Sequence, residues 1–245
     1  MNNMAEKPEA GKFFPEQMML FKELVEVSTS LFLWPEDVHD RTVRNVPAGR
    51  VVVRQGGKQE GAFEIVSGTL KLSQVTEDGR QIILGFPSAG EVIGLTGGKE
   101  YRYAAETLTI ARLRPVLWKA FYERLLRNHS TREKFLDWID AQEQRAQDHI
   151  AILSLQSAVS KLATFLLSRI SQQRKGTGHD GMIIDLPMTQ RDIATYLAIA
   201  PETCSRAMKK LRDGATIEDA GRSDKGQLLK ILNRERLSES GMDHA

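Results

Sequence analysis

Four polar residues near the C-terminus have the types and spacing of a DNA-reading surface. Glu202, Ser205, Arg206 and Lys209 are separated by 3, 1 and 3 positions, so they share one face of any helix that contains them. Arginine can bind guanine through two hydrogen bonds, glutamate can accept from the cytosine amino group, and serine suits either kind of base edge. Lys210 flanks this face and can bind a phosphate. We therefore predict contact with base edges here.

The residues around this face predict two short helices joined by a tight turn. Thr189 can cap the first helix, with Asp192 three residues later in a weaker capping box, and "AIAP" ends it. Pro201 suits the first turn of the second helix. We expect the inward-facing residues to be Ile193, Ala194, Leu197, Met208 and Leu211. The pattern favours a helix-turn-helix, in which Thr189 also binds DNA and Arg212 binds phosphate. The alternative is a solvated charged face on a small helical domain.

The glycine distribution predicts β-structure in the first half of the chain. Of 19 glycines, 11 lie between Gly49 and Gly98, where they separate stretches such as "RVVVRQGG" and "GAFEIVSGTLKLSQV". Apolar and polar residues alternate within these stretches, as in half-buried strands. "EDGR" at 77–80 predicts a tight turn between two strands. The pattern favours a small antiparallel barrel or jelly roll, and a generic β-sandwich fits the same periodicity.

The remaining segments predict helices around this β-unit and a hairpin at the end. Short helices are expected within 16–33, and a helical pattern runs from about Pro115 to Ser171. A further amphipathic helix is expected at 157–173. "MIIDLPM" predicts a short strand, and turn residues at 221–226 predict a hairpin. The fold class is therefore α+β.

A seam of mostly apolar residues predicts a long helix of roughly 22 residues with a partner. Its members follow each other at spacings of 3 and 4: Leu136, Ile139, Glu143, Ala146, Ile150 and Leu153. Such a seam can pack against a second copy of itself, which would make the chain a homodimer. The alternative is an ordinary amphipathic helix that lies on its own barrel.

The composition restricts the class of protein. The net charge is only +2, and the chain contains one cysteine, so neither an internal disulfide nor a four-cysteine metal site is expected. We find no phosphate-binding glycine loop, nucleophile elbow or paired-histidine motif, which argues against an enzyme. No apolar run reaches 18 residues and no signal peptide is recognisable, so we expect a cytoplasmic protein without membrane contact. A small-molecule-binding module that acts on a protein partner remains the alternative to a DNA-binding protein.

The order of these elements, together with "MTQRDIATYLAIAPETCSRAMKKL", "LQSAVSKLATFLLSR" and "FEIVSGTLKL", resembles the cyclic-AMP receptor protein / fumarate-nitrate reductase regulator family. The resemblance implies an N-terminal cyclic-nucleotide-binding-type β-roll (jelly roll) at 14–130, a dimerisation helix at 131–155 and a C-terminal winged helix-turn-helix at 156–245. It also implies a homodimeric transcription regulator whose partners are double-stranded DNA and RNA polymerase.

The form E-x-x-S-R at 202–206 resembles the FixK-like branch of that family. This resemblance implies recognition of a palindrome similar to TTGAT–N4–ATCAA, with Glu202, Ser205 and Arg206 on the bases. Two positions depart from the usual Leu-Gly-Leu-Thr/Ser turn. Ala198 replaces a glycine that tolerates a left-handed backbone, and Ala200 replaces a capping hydroxyl. Each change weakens the turn by roughly 1 kcal/mol at most.

Cyclic nucleotide is the first effector that the family suggests. In cyclic-AMP receptors a Gly-Glu pair holds the ribose and an Arg-Ser pair holds the phosphate. The corresponding candidates here are Glu91 and Arg102, but Tyr103 stands at the serine position and is too bulky for that contact. The alternative is that Glu91 is an exposed loop carboxylate and Arg102 a surface residue.

Iron–sulfur and haem sensing are the other family options. No cysteine precedes Cys204, which excludes an N-terminal cysteine cluster. His149 is the one histidine on the long helix, and a lone histidine there is more often a polar seam residue than a haem ligand. The favoured hypothesis is a FixK-like dimer that needs no bound effector, cofactor or metal.

Cys204 lies within the second helix of the motif, two residues before Arg206. A thiol that is exposed near a helix N-terminus and an arginine has a lowered pKa, and its oxidation would block DNA binding. Cys204 is therefore a candidate redox switch. The alternative is a small buried residue that packs like valine.

Overall fold

The structure is a computed structural model, and it describes residues 42–95, 98–177, 183–224 and 226–242. The helices predicted within 16–33 lie outside the described residues. Two units follow each other along the described chain. The first is an eight-stranded β-roll, and the second combines helices with a three-stranded sheet.

The β-roll consists of two four-stranded antiparallel sheets. Its strands are β1 (Arg44–Val46), β2 (Val51–Val53), β3 (Ala62–Ser67), β4 (Leu70–Val75), β5 (Gln81–Gly85), β6 (Val92–Ile93), β7 (Ala104–Thr107) and β8 (Ala111–Val116). One sheet has the order β1-β8-β3-β6 and the other β2-β7-β4-β5. Ile65 and Leu113 from the first sheet and Leu70 from the second are fully buried in one shared core. The predicted jelly-roll architecture is confirmed.

Tight turns between the strands occupy positions where glycine is required. In the turn between β4 and β5, the Thr76 amide donates to the Arg80 carbonyl at 2.9 Å. Gly79 in that turn has a φ of +79°, which confirms the turn predicted at 77–80. Gly68 between β3 and β4 has a φ of +95°, and a Cβ there would lie 2.6 Å from the Ile110 carbonyl oxygen. Glycine therefore allows the turn between β3 and β4 to pass close to the start of β8.

Three helices follow the roll: α1 (Trp118–Arg127), α2 (His129–Ser154) and α3 (Ala158–Thr177). The prediction that helix begins near Pro115 is wrong, because Pro115 and Val116 pair with β3 as the end of β8. Buried alternate residues hold this segment in the sheet, and proline disfavours helix at the residue before it. A second break comes at Asn128, whose side chain accepts from the Thr131 amide at 3.0 Å and caps α2.

Helix α2 is longer than predicted and is attached to α1 by aromatic residues. It contains 26 residues, which corresponds to about 39 Å. Phe135 stacks on Trp138 with ring centroids 5.7 Å apart, and Phe121 of α1 meets Phe135 edge-on at 5.4 Å. This aromatic face, which the sequence analysis did not identify, packs α2 against α1 and leaves the seam residues on another side of the helix.

The C-terminal unit is a winged helix-turn-helix, as predicted. After α3 it contains β9 (Ile183–Leu186), α4 (Gln190–Tyr196), α5 (Pro201–Asp213), β10 (Ile217–Ser223), β11 (Gly226–Ile231) and α6 (Arg234–Gly241). The sheet order is β10-β11-β9, which confirms both the predicted strand and the predicted hairpin. Helix α6 was not predicted. Asn233 caps it through the Arg236 amide, and its Leu237 is fully buried.

The β-roll and the C-terminal unit share a continuous core. Ile83 of β5 and Phe86, which follows it, are buried in the same cluster as the residues of α3, α4 and α5. Lys71 of β4 adds an ion pair to Asp192 of α4 at 3.2 Å and another to Glu106 of β7 at 3.3 Å. The position of the helix-turn-helix is therefore determined by contacts with the roll. Because the core is continuous, it does not mark domain boundaries, and the predicted ranges 14–130, 131–155 and 156–245 stay predictions.

Candidate nucleic-acid interface

A capping box starts α4, the first helix of the helix-turn-helix. The Thr189 hydroxyl accepts from the Asp192 amide at 3.0 Å, and the Asp192 carboxylate accepts from the Thr189 amide at 3.0 Å. Burial opposes ionisation of Asp192, but hydrogen bonds from Thr189 and the charge of Lys71 outweigh it and lower the pKa of the carboxyl group. The carboxylate therefore stabilises the fold above its ordinary pKa, and this contribution is lost as the pH falls.

The turn between α4 and α5 has the backbone conformation expected from the sequence. Leu197 is fully buried, and Ala198 has a φ of +51°, which lies in the left-handed region. Ala200 is extended as an N-cap residue but provides no side-chain hydrogen bond to α5. Pro201 occupies the first turn of α5. The turn thus forms despite the two alanines, with backbone strain at Ala198 and an uncapped start of α5.

Ala198→Gly is expected to raise the free energy of unfolding by about 1 kcal/mol, because the left-handed strain of alanine exceeds the extra chain entropy of glycine. Urea denaturation measures the change. The matched control is Ala141→Gly in the interior of α2, where the same substitution should lower stability by about 1 kcal/mol. A loss of stability in both variants would contradict the assignment of strain to Ala198.

Helix α5 has one buried face and one exposed face. The buried residues are Cys204, Ala207, Met208 and Leu211. The exposed residues include all those predicted to bind DNA on this helix: Glu202, Ser205, Arg206, Lys209 and Lys210. The expected burial of Ile193, Ala194 and Leu197 in α4 is confirmed as well. Packing thus buries one side of α5 and leaves its polar side exposed to solvent.

The residues predicted to read bases lie on the exposed face in the first half of α5. Recognition helices contact base edges mainly through their N-terminal residues, and Glu202, Ser205 and Arg206 occupy that part. The Arg206 guanidinium has a 3.3 Å contact with the Thr203 hydroxyl. Lys209 and Lys210 lie one turn further on, as residues that can bind phosphate do.

Arg212 and the wing differ from the sequence expectation. The Arg212 guanidinium donates to Asp219 of β10 at 3.0 Å, and Gln227 of β11 donates to the same carboxylate oxygen at 2.8 Å. Arg212 therefore connects α5 to the wing, in place of the phosphate contact that we expected. Arg222 is exposed near the tip of the wing, opposite Gln227. Sequence reasoning missed it, although a basic residue at a predicted hairpin turn is a usable signal.

The environment of Cys204 contradicts the requirement for a redox switch. Its side chain is fully buried, and burial raises the pKa of the thiol to about 11. At pH 7 only about one thiol in ten thousand would be ionised, and the thiolate is the reactive form. The structure supports the alternative role of a small core residue. Proximity along the chain to Arg206 was misleading, because Cys204 points to the opposite face of the helix.

We expect Cys204 in the folded protein to react with an aromatic disulfide reagent at least about 100-fold more slowly than in urea, because reaction requires local unfolding. The release of the coloured thiolate measures both rates. Ser205→Cys is the matched comparison, since its exposed position should give fast labelling without denaturant. Equal rates for Cys204 in the folded and unfolded states would contradict the burial of this thiol.

The predicted effector residue Glu91 is engaged within the protein. Its carboxylate forms an ion pair with Arg145 of α2, and it also accepts from the Ser88 amide at 2.6 Å. Glu91 thus connects the loop after β5 to the long helix. The expectation of an exposed loop carboxylate is wrong as well, because this side chain is largely buried and paired.

Arg102 is not brought to Glu91. It is exposed and lines a surface depression with Gln55, Lys99 and Tyr101, and Glu91 is not among the described residues around that depression. Tyr103 is mostly buried, and its hydroxyl accepts from the Gly94 amide at 2.7 Å. Glu91 therefore does not share the depression that Arg102 lines, and an effector pocket formed by both residues stays a prediction.

His149 of α2 contacts α4. Its Nε2 lies 2.8 Å from the Tyr196 carbonyl oxygen, and the two rings are stacked with centroids 3.9 Å apart. Burial lowers the pKa of His149 below its ordinary value, against the effect of this hydrogen bond. Among the described residues no group of three or more histidine, cysteine or acidic side chains is arranged to hold a metal ion.

The predicted seam of α2 is left largely exposed by the other residues that the structure describes. Leu136 and Ile150 are each 63% exposed, and Ile139 is 42% exposed. Glu143 and Ala146 are exposed as well, and Leu153 is partly buried. The alternative that this face lies on the chain's own barrel is therefore wrong, since Phe135 and Trp138 occupy the packing side.

The fold and the exposed face of α5 define a DNA-binding protein of the winged helix-turn-helix class, and comparisons with known proteins agree. Residues 43–128 match the model of the cyclic nucleotide-binding domain, and residues 160–240 match that of the Crp-like helix-turn-helix domain. The nitrogen fixation regulation protein FixK of Rhizobium meliloti (strain 1021) is 29% identical over 177 residues, which are 72% of this chain and 78% of FixK.

Two further comparisons extend this likeness. The fumarate and nitrate reduction regulatory protein of Escherichia coli (strain K12) is 26% identical over 198 residues, 79% of this chain and 76% of that protein. The structure of FixK2 from Bradyrhizobium japonicum superimposes with a TM-score of 0.72 at 26% identity, covering 83% of this chain and 98% of FixK2.

The chain belongs to the cyclic-AMP receptor protein / fumarate-nitrate reductase regulator family of transcription regulators, which are not enzymes. Within that family it belongs to the FixK-like branch. It is therefore a DNA-binding transcription regulator. None of the described helices has the length and apolar character needed to cross a membrane.

Proposed function

We propose that this regulator binds a palindrome resembling TTGAT–N4–ATCAA as a homodimer and needs no small effector to do so. The observation that carries the proposal is that the two sides of α5 differ in burial and in chemistry. One side is fully buried in the C-terminal core, and the other exposes residue types that read base edges. A merely structural helix would gain nothing from an exposed row of glutamate, serine and arginine in its first turns.

In this proposal Arg206 binds a guanine of each half-site through two hydrogen bonds, and Glu202 and Ser205 contact neighbouring bases. Lys209 extends the base-reading face, and Lys210 contacts the phosphate backbone, as does Thr189 at the start of α4. In support of this role, Thr189 is an exposed residue at the start of α4, the helix that precedes the proposed recognition helix. These assignments distinguish residues that give sequence specificity from residues that increase affinity for any DNA sequence.

The exposed seam of α2 supports the homodimer. Leu136, Ile139 and Ile150 present apolar side chains to solvent along one side of the long helix. A second copy related by a two-fold axis along this helix would bury them and would present two recognition helices to two inverted half-sites. A palindromic DNA site and a dimer formed through the seam of α2 thus both have two-fold symmetry.

Contacts within the chain support independence from an effector. The carboxylate of Glu91 is neutralised by Arg145, so α2 is already attached to the roll by an internal cation. The ring of Tyr103 is partly buried, and its hydroxyl accepts from the Gly94 amide. The Glu91 carboxylate and the Tyr103 hydroxyl would each have to leave its present partner before a cyclic nucleotide could bind in the manner of the cyclic-AMP receptors.

The transcriptional role that we propose is activation through contact with RNA polymerase in the cytoplasm. A relative of this chain from Stutzerimonas stutzeri, 26% identical, bears the name transcriptional activator protein FnrA. Because the residues of α5 face DNA in this proposal, the polymerase would contact surfaces of the roll or the C-terminal unit away from α5.

The test is selection of random duplex DNA by the purified, reduced protein without any ligand, followed by sequencing of the retained DNA. We expect a palindrome near TTGAT–N4–ATCAA, with affinity that falls steeply as the salt concentration rises. A preference without two-fold symmetry would contradict the homodimer. Recovery of the palindrome only after addition of a cyclic nucleotide or haem would contradict effector independence, and no recovery under any of these conditions would contradict DNA recognition by α5.

A further inference from the structure

The ring of Tyr196 lies where the long helix, the β-roll and the helix-turn-helix meet. Tyr196 is the last residue of α4. Its ring centroid is 5.4 Å from that of Phe86, which follows β5 of the roll, and 5.6 Å from that of Phe165 in α3. On another side it stacks against His149 of α2. A single residue at the end of α4 is thus in contact with three separate elements.

His149 contacts Tyr196 in two ways at once. The two rings are 3.9 Å apart and parallel to within 2°. The Nε2 atom also lies 2.8 Å from the Tyr196 carbonyl oxygen. A carbonyl oxygen can only accept, so Nε2 carries the proton of this hydrogen bond. Because one contact is made by the ring and the other by the backbone, the pair fixes both the distance and the angle between α2 and α4.

A buried arginine holds the roll in the same place. Arg169 of α3 is only 4% exposed, and its guanidinium donates to the Phe86 carbonyl at 3.3 Å and to Gln172 at 2.6 Å. The nearby Glu91 carboxylate favours its charged form against the effect of burial. Glu91 is also paired with Arg145, which lies one turn before His149 on α2. The loop from Phe86 to Glu91 is therefore bound to both α2 and α3.

The position of Tyr196 is transmitted to the recognition helix over a short distance. Only residues 197–200 separate Tyr196 from Pro201, the first residue of α5. Leu197 is fully buried, and the Ile199 amide donates to the Ala194 carbonyl at 3.0 Å. A change in the angle of α4 relative to α2 would therefore move α5 by a similar amount.

We infer that the contact between His149 and Tyr196 is a positioning contact that sets the spacing between the two half-sites the dimer can bind. The inference rests on the proposed function, in which the two-fold axis runs along α2. The angle between α2 and the helix-turn-helix then determines how far apart the two copies of α5 lie. Each base pair of spacer moves a half-site by about 3.4 Å and rotates it about the DNA axis, so a small change of angle selects a different spacer.

The experiment measures the affinity of the full-length protein for the selected palindrome and for versions whose spacer is one base pair shorter or longer. His149→Ala is expected to reduce the parent's discrimination between these spacers by about tenfold, because it removes one aromatic stack and one hydrogen bond. His149→Gln retains a side-chain donor and His149→Phe retains a ring, so each should preserve part of the discrimination.

The matched control is His129→Ala at the start of the same helix. His129 is 76% exposed and pairs only with Glu133 among the ion pairs described. This variant should retain the spacer preference of the parent. Thermal unfolding of every variant establishes that it is folded, and His149→Phe serves as the test variant if His149→Ala does not fold.

Each outcome has a distinct meaning. Reduced discrimination with His149→Ala and normal discrimination with His129→Ala would support the inference. A uniform loss of affinity at all spacers would assign His149 a stabilising role alone and overturn the inference, as would unchanged binding. Failure of the parent itself to prefer any palindrome would overturn the proposed function, independently of how the variants behave.

Discussion

Arg206→Ala is expected to weaken binding by about 1–3 kcal/mol for each half-site and to abolish the preference for guanine at the contacted position. Arg206 is exposed in the first half of α5, on the side opposite to the buried core residues. Its loss should therefore affect DNA recognition with little effect on folding. Arg206→Lys retains the charge but cannot form two parallel hydrogen bonds, so affinity should fall less than guanine preference does.

The measurement is a fluorescence anisotropy titration against the selected operator and against the three other bases at the contacted position. Lys210→Ala is the matched control on the same helix, because Lys210 is also exposed and basic. It should weaken binding to all sequences about equally and reduce the salt slope by about 1 for each half-site, or about 2 for the dimer. If both variants bind the operator as the parent does, α5 is not the recognition helix.

Combining Ile139→Glu with Ile150→Glu is expected to convert the protein to a monomer and to lower operator affinity by about 100- to 10,000-fold, the advantage that a second linked half-site provides. In the single chain these side chains are 42% and 63% exposed, so the variant should still fold. In the proposed dimer the substitutions would bury four carboxylates in an apolar seam, which is unfavourable.

Light scattering measures the mass of the particle, and anisotropy measures its binding to the operator. Ile110→Glu is the matched control, since Ile110 is 73% exposed and belongs to the turn before β8 and not to the seam of α2. That variant should remain a dimer with the affinity of the parent. A double variant that stays dimeric would place the dimer interface elsewhere and would remove the main support for a palindromic site.

The local parts of the site were determined by the sequence alone. The capping box of Thr189 and Asp192, the left-handed residue at Ala198 and the start of α5 at Pro201 each depend on residues within a few positions of each other. The division of α5 into a packed and an exposed face follows from helical periodicity. For the same reason the turn at 77–80 could be predicted without knowledge of the surrounding sheets.

The tertiary structure decided which groups are buried and which are paired across long separations. Cys204 is buried because the core of the C-terminal unit covers it, and Glu91 is paired because Arg145, 54 residues away, reaches it. The stack of His149 on Tyr196 joins residues 47 positions apart. Periodicity indicates which residues share a face, but only the packing of distant elements determines what that face meets. The exposed polar face of α5 could therefore be predicted, whereas the orientation of the helix relative to α2 and the β-roll could not.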